Sequence, residues 1–163
     1  MKNINQFTLQ FAITFLFFLS ASFLFAQDNN SSKRIANYNI EKGLAIQGYD
    51  PVSYFTSSKA IKGSKENSYV NNGVTYYFSS KVNLDLFKSN PAKYEPQYGG
   101  WCAYAMGNDG TKVEVDPETF KIVNGKLYLF YNFYFTNTLK KWNANESVLN
   151  KNADLNWNKI INK

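Results

Sequence analysis

The chain has 163 residues, with 18 Lys or Arg against 12 Asp or Glu, one Cys and no His. The absence of histidine excludes a Ser-His-Asp triad, a Cys-His pair and an HExxH zinc helix. A single cysteine excludes an intrachain disulfide and a CxxC redox pair. Because these absences remove most catalytic and metal chemistry, we expect a binding protein without enzymatic activity.

The N-terminus has the pattern of an export signal. An almost wholly apolar run at residues 11–25 follows Lys2 and closes at Ala26, before a polar stretch. This pattern predicts a secretory signal peptide over residues 1–26, a periplasmic or secreted protein, and no stable membrane span after cleavage. Leu24 is larger than the residue usually found three positions before the cut, so an uncleaved anchor remains the alternative. The run is nevertheless shorter than the ~20 residues of a spanning helix.

The rest of the chain has the length of one domain with one core. Residues 27–42 lack hydrophobic periodicity and predict a flexible tether, followed by a single domain over residues 43–163. The lysines are scattered, with Lys140-Lys141 the only doublet in the domain. This distribution predicts a solvated surface that does not bind nucleic acid. Attraction to an anionic envelope surface is the most that the charge supports.

Two Asn-Gly dipeptides between alternating β-branched and aromatic residues predict two hairpins. Asn tolerates positive φ and Gly prefers it, as both central positions of a type I′ turn require. The first hairpin joins residues 68–70 to residues 74–78, and the second joins residues 119–123 to residues 126–130.

Short helices are predicted between and after the hairpins. Ser79 or Ser80 caps the first, and Asn90-Pro91 starts another. A helix over residues 101–106 follows Gly99-Gly100 and ends at Gly107 as a left-handed cap. Helical spacing in the tail is interrupted near residues 143–145 and near Asn152. The predicted class is α+β, a small antiparallel sheet built from two hairpins with several short helices packed on it.

Several blocks resemble the YHS-domain proteins, specifically their exported stand-alone type. The resemblance rests on GYDPVSYF at residues 48–55, GVTYYFSS at residues 73–80 and NPAKYEPQYGGWCAYA at residues 90–105, with NGKLYL at residues 124–129 downstream. YHS domains also occur fused to copper-exporting pumps, which implies handling of a soft metal such as copper. The exported stand-alone members have no widely agreed activity.

The chain departs from the metal-associated members of that family. Their cysteines stand near the domain start and just after the Tyr-rich strand, where this chain has residues 50–53 and residues 78–81, without a thiol in either. The soft-metal site of those relatives therefore does not carry over. Cys102 matches a position at which exported members carry cysteine.

Cys102 is the candidate metal ligand. On a helix over residues 101–106, Met106 would lie on the same face, four residues later. A thiolate and a thioether form a soft pair of the kind that selects Cu(I). Two alternatives remain: Cys102 and Met106 are core residues, or Cys102 is an exposed thiol that pairs with a second chain or a small thiol.

The block before Cys102 offers a second candidate site, for an anion or another small ligand. Gly99 and Gly100 precede the predicted helix, where backbone N–H groups can approach an anion, and Tyr98 and Trp101 flank them. A tight turn that needs unusual φ values is the alternative. The tyrosines, likewise, either line an aromatic ligand pocket or pack in the core and at a partner interface.

Overall fold

The computed structural model describes residues 30–163. The predicted signal peptide, residues 1–26, lies outside the described residues. The strands are β1 (Ile40–Glu41), β2 (Leu44–Ala45), β3 (Ser64–Asn71), β4 (Val74–Phe78), β5 (Asp116–Val123), β6 (Lys126–Phe130), β7 (Asn132–Phe133) and β8 (Thr136–Asn137). The helices are α1 (residues 30–37), α2 (Ser53–Thr56), α3 (Lys81–Ser89), α4 (Pro91–Tyr94), α5 (Ala103–Asn108), α6 (Thr138–Ala144) and α7 (Glu146–Ile161). Within this part of the chain, no helix combines the length and hydrophobicity needed to cross a membrane.

Both predicted hairpins form, in an α+β fold as expected. Their two-residue turns, Asn72-Gly73 and Asn124-Gly125, have positive φ at both central positions. The hairpins do not share one sheet, which differs from the expectation. β3 and β4 belong to a four-stranded sheet of order β1-β2-β4-β3, whereas β5 and β6 pair only with each other. The short strand β2 takes the place beside β4 by a parallel pairing.

Both faces of strand β6 are buried, each against a different core. Leu127 and Leu129 point into a core shared with the four-stranded sheet and α3. Tyr128 and Phe130 point the other way, into a second core that they share with Trp142 and α7. Side chains alternate across a strand. The β5–β6 hairpin therefore lies between two cores, as a two-stranded sheet of its own.

The segment upstream of the predicted domain is structured where it is described. α1 and β1 fall within residues 27–42, so the structure corrects the expectation of a flexible tether for the described part of that range. The guanidinium of Arg34 pairs with the carboxylate of Glu95 and donates a hydrogen bond to Tyr38 Oη at 2.6 Å. This helix therefore packs against the domain through buried polar contacts that hydrophobic periodicity does not reveal.

The helices agree with the sequence in most places. Ser80 caps α3 by accepting a hydrogen bond from the Asn83 amide at 3.1 Å. A break near Asn145 separates α6 from α7 as predicted, but the predicted break near Asn152 is absent because α7 runs unbroken to Ile161. Packing of buried Leu149 and Ala153 on α5 holds the intervening asparagines in the helix.

Gly107 is not the left-handed cap that the sequence predicts. It lies inside α5, and its helical backbone passes next to α7, so that an added Cβ would stand 2.4 Å from the carbonyl oxygen of Leu149. The glycine is needed for close helix packing, and Gly110, two residues after α5, has the positive φ instead.

An ion pair joins β5 to α7 and should make stability depend on pH. Lys121 Nζ lies 2.7 Å from Glu146 Oε2, and the indole of Trp142 donates to Oε1 at 2.9 Å. These hydrogen bonds, the one from Lys121 first, lower the pKa of Glu146. A carboxylate with a lowered pKa stabilises the fold above its unfolded value of about 4.3 and loses this contribution as the pH falls through the folded-state pKa.

We therefore expect Glu146→Gln to lower the free energy of unfolding at pH 7 by about 0.5–1 kcal/mol, a small effect because the pair is partly exposed. The difference between the two proteins should shrink below pH 4. Urea titrations at pH 7, 5 and 3.5 measure it. A constant difference across this range would contradict the role of the charge, and Lys151→Gln, an exposed lysine on the same helix, is the control.

Candidate functional site

Cys102 lies immediately before α5, where it is the N-cap residue with an extended ψ of 117°. Its side chain is fully buried. The sulfur lies 3.3 Å from Thr138 Oγ1 and accepts a hydrogen bond from the backbone N–H of Tyr131 at 3.4 Å. The structure therefore contradicts the alternative of an exposed thiol and places Cys102 in the core.

Met106 does not share a site with Cys102. It is fully buried, but it packs in the second core with Tyr128 and Trp142, whereas Cys102 belongs to the first. The predicted pairing assumed that both residues are helical, and α5 begins only at Ala103. Among residues 30–163 no group of three or more His, Cys, Asp or Glu side chains could hold a metal ion. Cys102 and Met106 are therefore not brought together in one core as a pair of soft ligands.

The backbone around Gly99 and Gly100 forms a tight turn and not the predicted anion site. The amide of Trp101 donates to the carbonyl oxygen of Tyr98 at 3.2 Å, and the amide of Cys102 donates to that of Val113 at 2.9 Å. Two N–H groups next to the glycines are therefore already engaged within the chain. The indole of Trp101 is also engaged, with the carbonyl oxygen of Asn37 at 2.7 Å.

Two of the predicted residues, Tyr98 and Gly99, instead line a pocket of about 430 Å³. The pocket lies where the turn at Gln97–Gly100 meets α1 and α7. Its walls carry aromatic rings, two carboxylates and one lysine. The lining side chains with these groups are Tyr38, Glu95, Tyr98, Lys126, Asp154 and Trp157.

Backbone conformation at the pocket wall brings its aromatic rings close together. Tyr98 has a φ of 56°, a left-handed value that is uncommon for a bulky residue, and Gly99 has a φ of 60°. A Cβ on Gly99 would lie 2.8 Å from Trp157 Cη2 and 2.9 Å from Tyr38 Cδ1. Only glycine leaves room for these two rings, whose centroids are 5.9 Å apart. Strained backbone of this kind concentrates at functional sites.

Hydrogen bonds fix the polar groups on both sides of the pocket. The hydroxyl of Tyr98 donates to Asp154 Oδ1 at 3.0 Å. Burial, and then the neighbouring Asp154 carboxylate, raise the pKa of Tyr98, so it remains a neutral donor at physiological pH. Glu95 accepts from Arg34, from Tyr76 Oη at 2.9 Å and from Asn71 Nδ2 at 2.9 Å. The pocket is therefore preorganised before any ligand enters.

Sequence reasoning missed most of this site. Tyr38 falls in the segment predicted as a tether, and Trp157 and Asp154 fall in a tail predicted as helical without a functional role. Their separation along the chain is large, and no short motif joins them. The one available signal was Tyr98 beside Gly99, since a glycine after a large aromatic residue indicates a close approach of backbone to another group.

Residues 52–98 match the protein family described as the YHS domain. The chain contains a YHS domain. No curated protein and no solved structure matched the chain. The matched segment runs from α2 to the turn that carries Tyr98, so it supplies one wall of the pocket. Tyr38, Lys126 and Trp157 come from outside it.

The YHS segment shows what occupies the stretches where metal-associated relatives have cysteines. The structure brings these two stretches together through Asp50, which is fully buried. Its Oδ1 accepts from the Val52 amide at 2.8 Å and, less closely, from that of Ser53. Its Oδ2 accepts from the amide and hydroxyl of Ser79, at 2.9 and 2.6 Å, and from Asn83 Nδ2 at 2.7 Å. Five donors saturate the carboxylate, so Asp50 is a structural tie with no capacity left for a metal.

Proposed function

We propose that this YHS domain is a non-catalytic binding domain, and that its ligand is a small polar molecule held between Tyr98-Gly99 and Trp157. The observation that carries the proposal is the glycine at position 99, which admits two aromatic rings to the wall of a preorganised pocket. We further propose that the protein acts outside the cytoplasm, on the strength of the predicted signal peptide.

The composition of the pocket supports a polar ligand. Two carboxylates and one lysine line it beside the aromatic rings. The carboxylate of Glu95 is already paired with the guanidinium of Arg34. The carboxylate of Asp154, in contrast, accepts a hydrogen bond from a neutral group, the hydroxyl of Tyr98. Asp154 and Trp157 both come from α7 and line the same pocket. We therefore propose that a cationic group of the ligand contacts the carboxylate of Asp154 and stacks on the ring of Trp157.

Ligand binding can be tested with three small probes that differ in charge: tetramethylammonium, acetate and glucose. We expect tetramethylammonium at millimolar concentration to shift the indole NMR signal of Trp157, which Trp157→Phe assigns. Gly99→Ala should abolish the shift, because its Cβ would displace the two rings. As a matched control, Gly43→Ala changes a glycine with positive φ and open space around it. If no probe shifts this signal, the pocket is not a binding site for small polar molecules.

Copper handling through Cys102 is the second candidate function, and the observation that favours it is the YHS match. The geometry argues against it in the described chain, since Cys102 is buried and hydrogen-bonded and Met106 packs in the other core. We therefore propose a structural role for Cys102 and keep copper binding as the competing hypothesis.

An anaerobic Cu(I) titration against a competing chelator separates the two roles. We expect the protein and its Cys102→Ser variant to compete equally at micromolar copper, because the buried sulfur cannot coordinate without local opening. A thiol-labelling reagent should react with Cys102 at least about a hundredfold faster in urea than in buffer. Tighter copper binding by the unsubstituted protein would establish Cys102 as a ligand and overturn the structural assignment.

A further inference from the structure

A hairpin that the sequence does not predict projects from the domain between β6 and α6. β7 and β8 are joined by a two-residue turn of Tyr134 and Phe135. Tyr134 is 90% exposed, and Phe135 is as exposed as it would be in an extended peptide. Phe133 beside them is 43% exposed. Three consecutive aromatic residues therefore form an uncovered tip, which we call the aromatic tip (residues 133–135).

The turn residues are not explained by the needs of the turn. Tyr134 and Phe135 have φ values of 47° and 64°, in the left-handed region where bulky side chains are strained. The other three two-residue hairpin turns of the described chain, Lys42-Gly43, Asn72-Gly73 and Asn124-Gly125, each have glycine at the second position. Among these four turns, only the one with the exposed aromatic side chains has no glycine.

The root of this hairpin is firmly held. The hydroxyl of Thr138 donates to the carbonyl oxygen of Tyr131 at 2.9 Å, and the Thr138 amide donates to the same oxygen at 3.0 Å. The sulfur of Cys102 contacts Thr138 Oγ1 and the Tyr131 amide, one on each side of the hairpin. The structural role of Cys102 is to clamp these two ends. A clamped root presents the strained tip in one conformation.

We infer that the aromatic tip inserts into the interface of an anionic phospholipid bilayer. Phenylalanine and tyrosine at the end of a narrow hairpin present apolar rings and one hydroxyl, the combination that suits the headgroup region. The exposed pair Lys140-Lys141 follows in the first turn of α6, and the chain carries a net charge of +6. Basic residues beside exposed aromatic residues favour an anionic lipid surface.

The size and shape of the tip agree with this occupant. One acidic group, Asp116, lies near its root and opposes attraction to an anionic surface; its Oδ2 accepts hydrogen bonds from Thr119 Oγ1 and Asn132 Nδ2. A stable protein interface usually buries about 800 Å² on each partner. A convex tip of three residues offers much less, whereas a deformable bilayer accepts a small convex insertion.

The test uses the protein recovered in soluble form after expression of the full chain. It is mixed with vesicles of equal parts phosphatidylglycerol and phosphatidylcholine, or of phosphatidylcholine alone, at 50 mM salt. The matched variant, Tyr134→Asn with Phe135→Gly, gives this hairpin the Asn-Gly turn of the β3–β4 and β5–β6 hairpins and should fold at least as well. We expect it to lose binding to the anionic vesicles at least tenfold, with a smaller loss for Lys140→Gln with Lys141→Gln.

Local insertion is read from Phe135→Trp, whose fluorescence should shift to the blue and be quenched by brominated lipid. Equal binding of the protein and the Asn-Gly variant, or no binding of either, would overturn the proposal. So would a concentration-dependent dimer that the Asn-Gly variant abolishes in the absence of vesicle binding, since a second copy would then be the occupant. None of these results depends on the pocket at Trp157.

Discussion

Replacing Asp50 by alanine should lower the free energy of unfolding by about 3–4 kcal/mol, because it leaves buried donors without an acceptor. The donors are the amides of Val52 and Ser79, the hydroxyl of Ser79 and the side-chain amide of Asn83. They tie the turn before α2 to the start of α3. Urea unfolding followed by circular dichroism measures the change.

Asp50→Asn is the informative companion variant. Its carbonyl oxygen can keep the two amides on one side, and the hydroxyl of Ser79 can rotate to accept from the new amide. The loss should therefore be about half as large. Asp85→Ala, which removes an exposed acidic residue of α3 paired only with Lys81, should change stability by less than about 0.5 kcal/mol. A loss at Asp50 no greater than that of Asp85→Ala would show that the network contributes nothing to stability.

Gly107→Ala should be the second most damaging substitution, with a loss of about 3 kcal/mol. Alanine normally stabilises a helix relative to glycine, by roughly 0.5–1 kcal/mol. Here the added Cβ would stand 2.4 Å from the Leu149 carbonyl oxygen and 2.9 Å from its carbonyl carbon. These are backbone atoms, so α5 and α7 would have to move apart. Overpacking of this kind costs more than the helix propensity returns.

The contrast with Gly125→Ala makes the cause testable. Gly125 has a φ of 72° and open space around it, so its substitution carries backbone strain without a clash. We expect a loss of about 1 kcal/mol there, measured by the same urea titration. If Gly107→Ala proved neutral or stabilising, the close approach of α5 to α7 would be wrong.

Local signals in the sequence predicted much of the fold. Asn72-Gly73 and Asn124-Gly125 each demand a turn with positive φ, and the alternating residues around them can bury one face as strands. The cap at Ser80 and the proline at position 91 likewise act within a few residues. The arrangement of the hairpins could not be predicted from such local signals. It depends on the two cores that bury β6, and these cores are built from segments far away in the chain.

The predicted pairing of Cys102 with Met106 differs from the structure for a local reason. Cys102 and Met106 are four residues apart, and this spacing places side chains on one face only if both residues are helical. Cys102 has an extended ψ because its amide bonds to Val113 rather than to the preceding turn. Cys102 therefore precedes the helix and packs in the first core, whereas Met106 packs in the second.

The sequence predicted only some of the residues that line the pocket. Tyr98 and Gly99 were singled out as ligand-binding residues, and the structure places both on its wall. Tyr38 and Trp157 could not be found from spacing, because α1 and α7 meet there from the two ends of the described chain. The aromatic tip was not predicted, because Tyr134-Phe135 is a poor turn sequence and gives no local signal of a hairpin.

The buried pair of Arg34 and Glu95 limits how the protein can be divided for experiment. A fragment that begins at residue 43, where hydrophobic patterning first becomes regular, would keep Glu95 but remove its only cationic partner. A peptide limited to residues 52–98 would also lose Leu127 and Leu129, which fill the core against the four-stranded sheet. We therefore expect that residues 52–98, the segment that matches the family, do not fold on their own. Truncations for expression or domain grafting should start before α1 and retain α7.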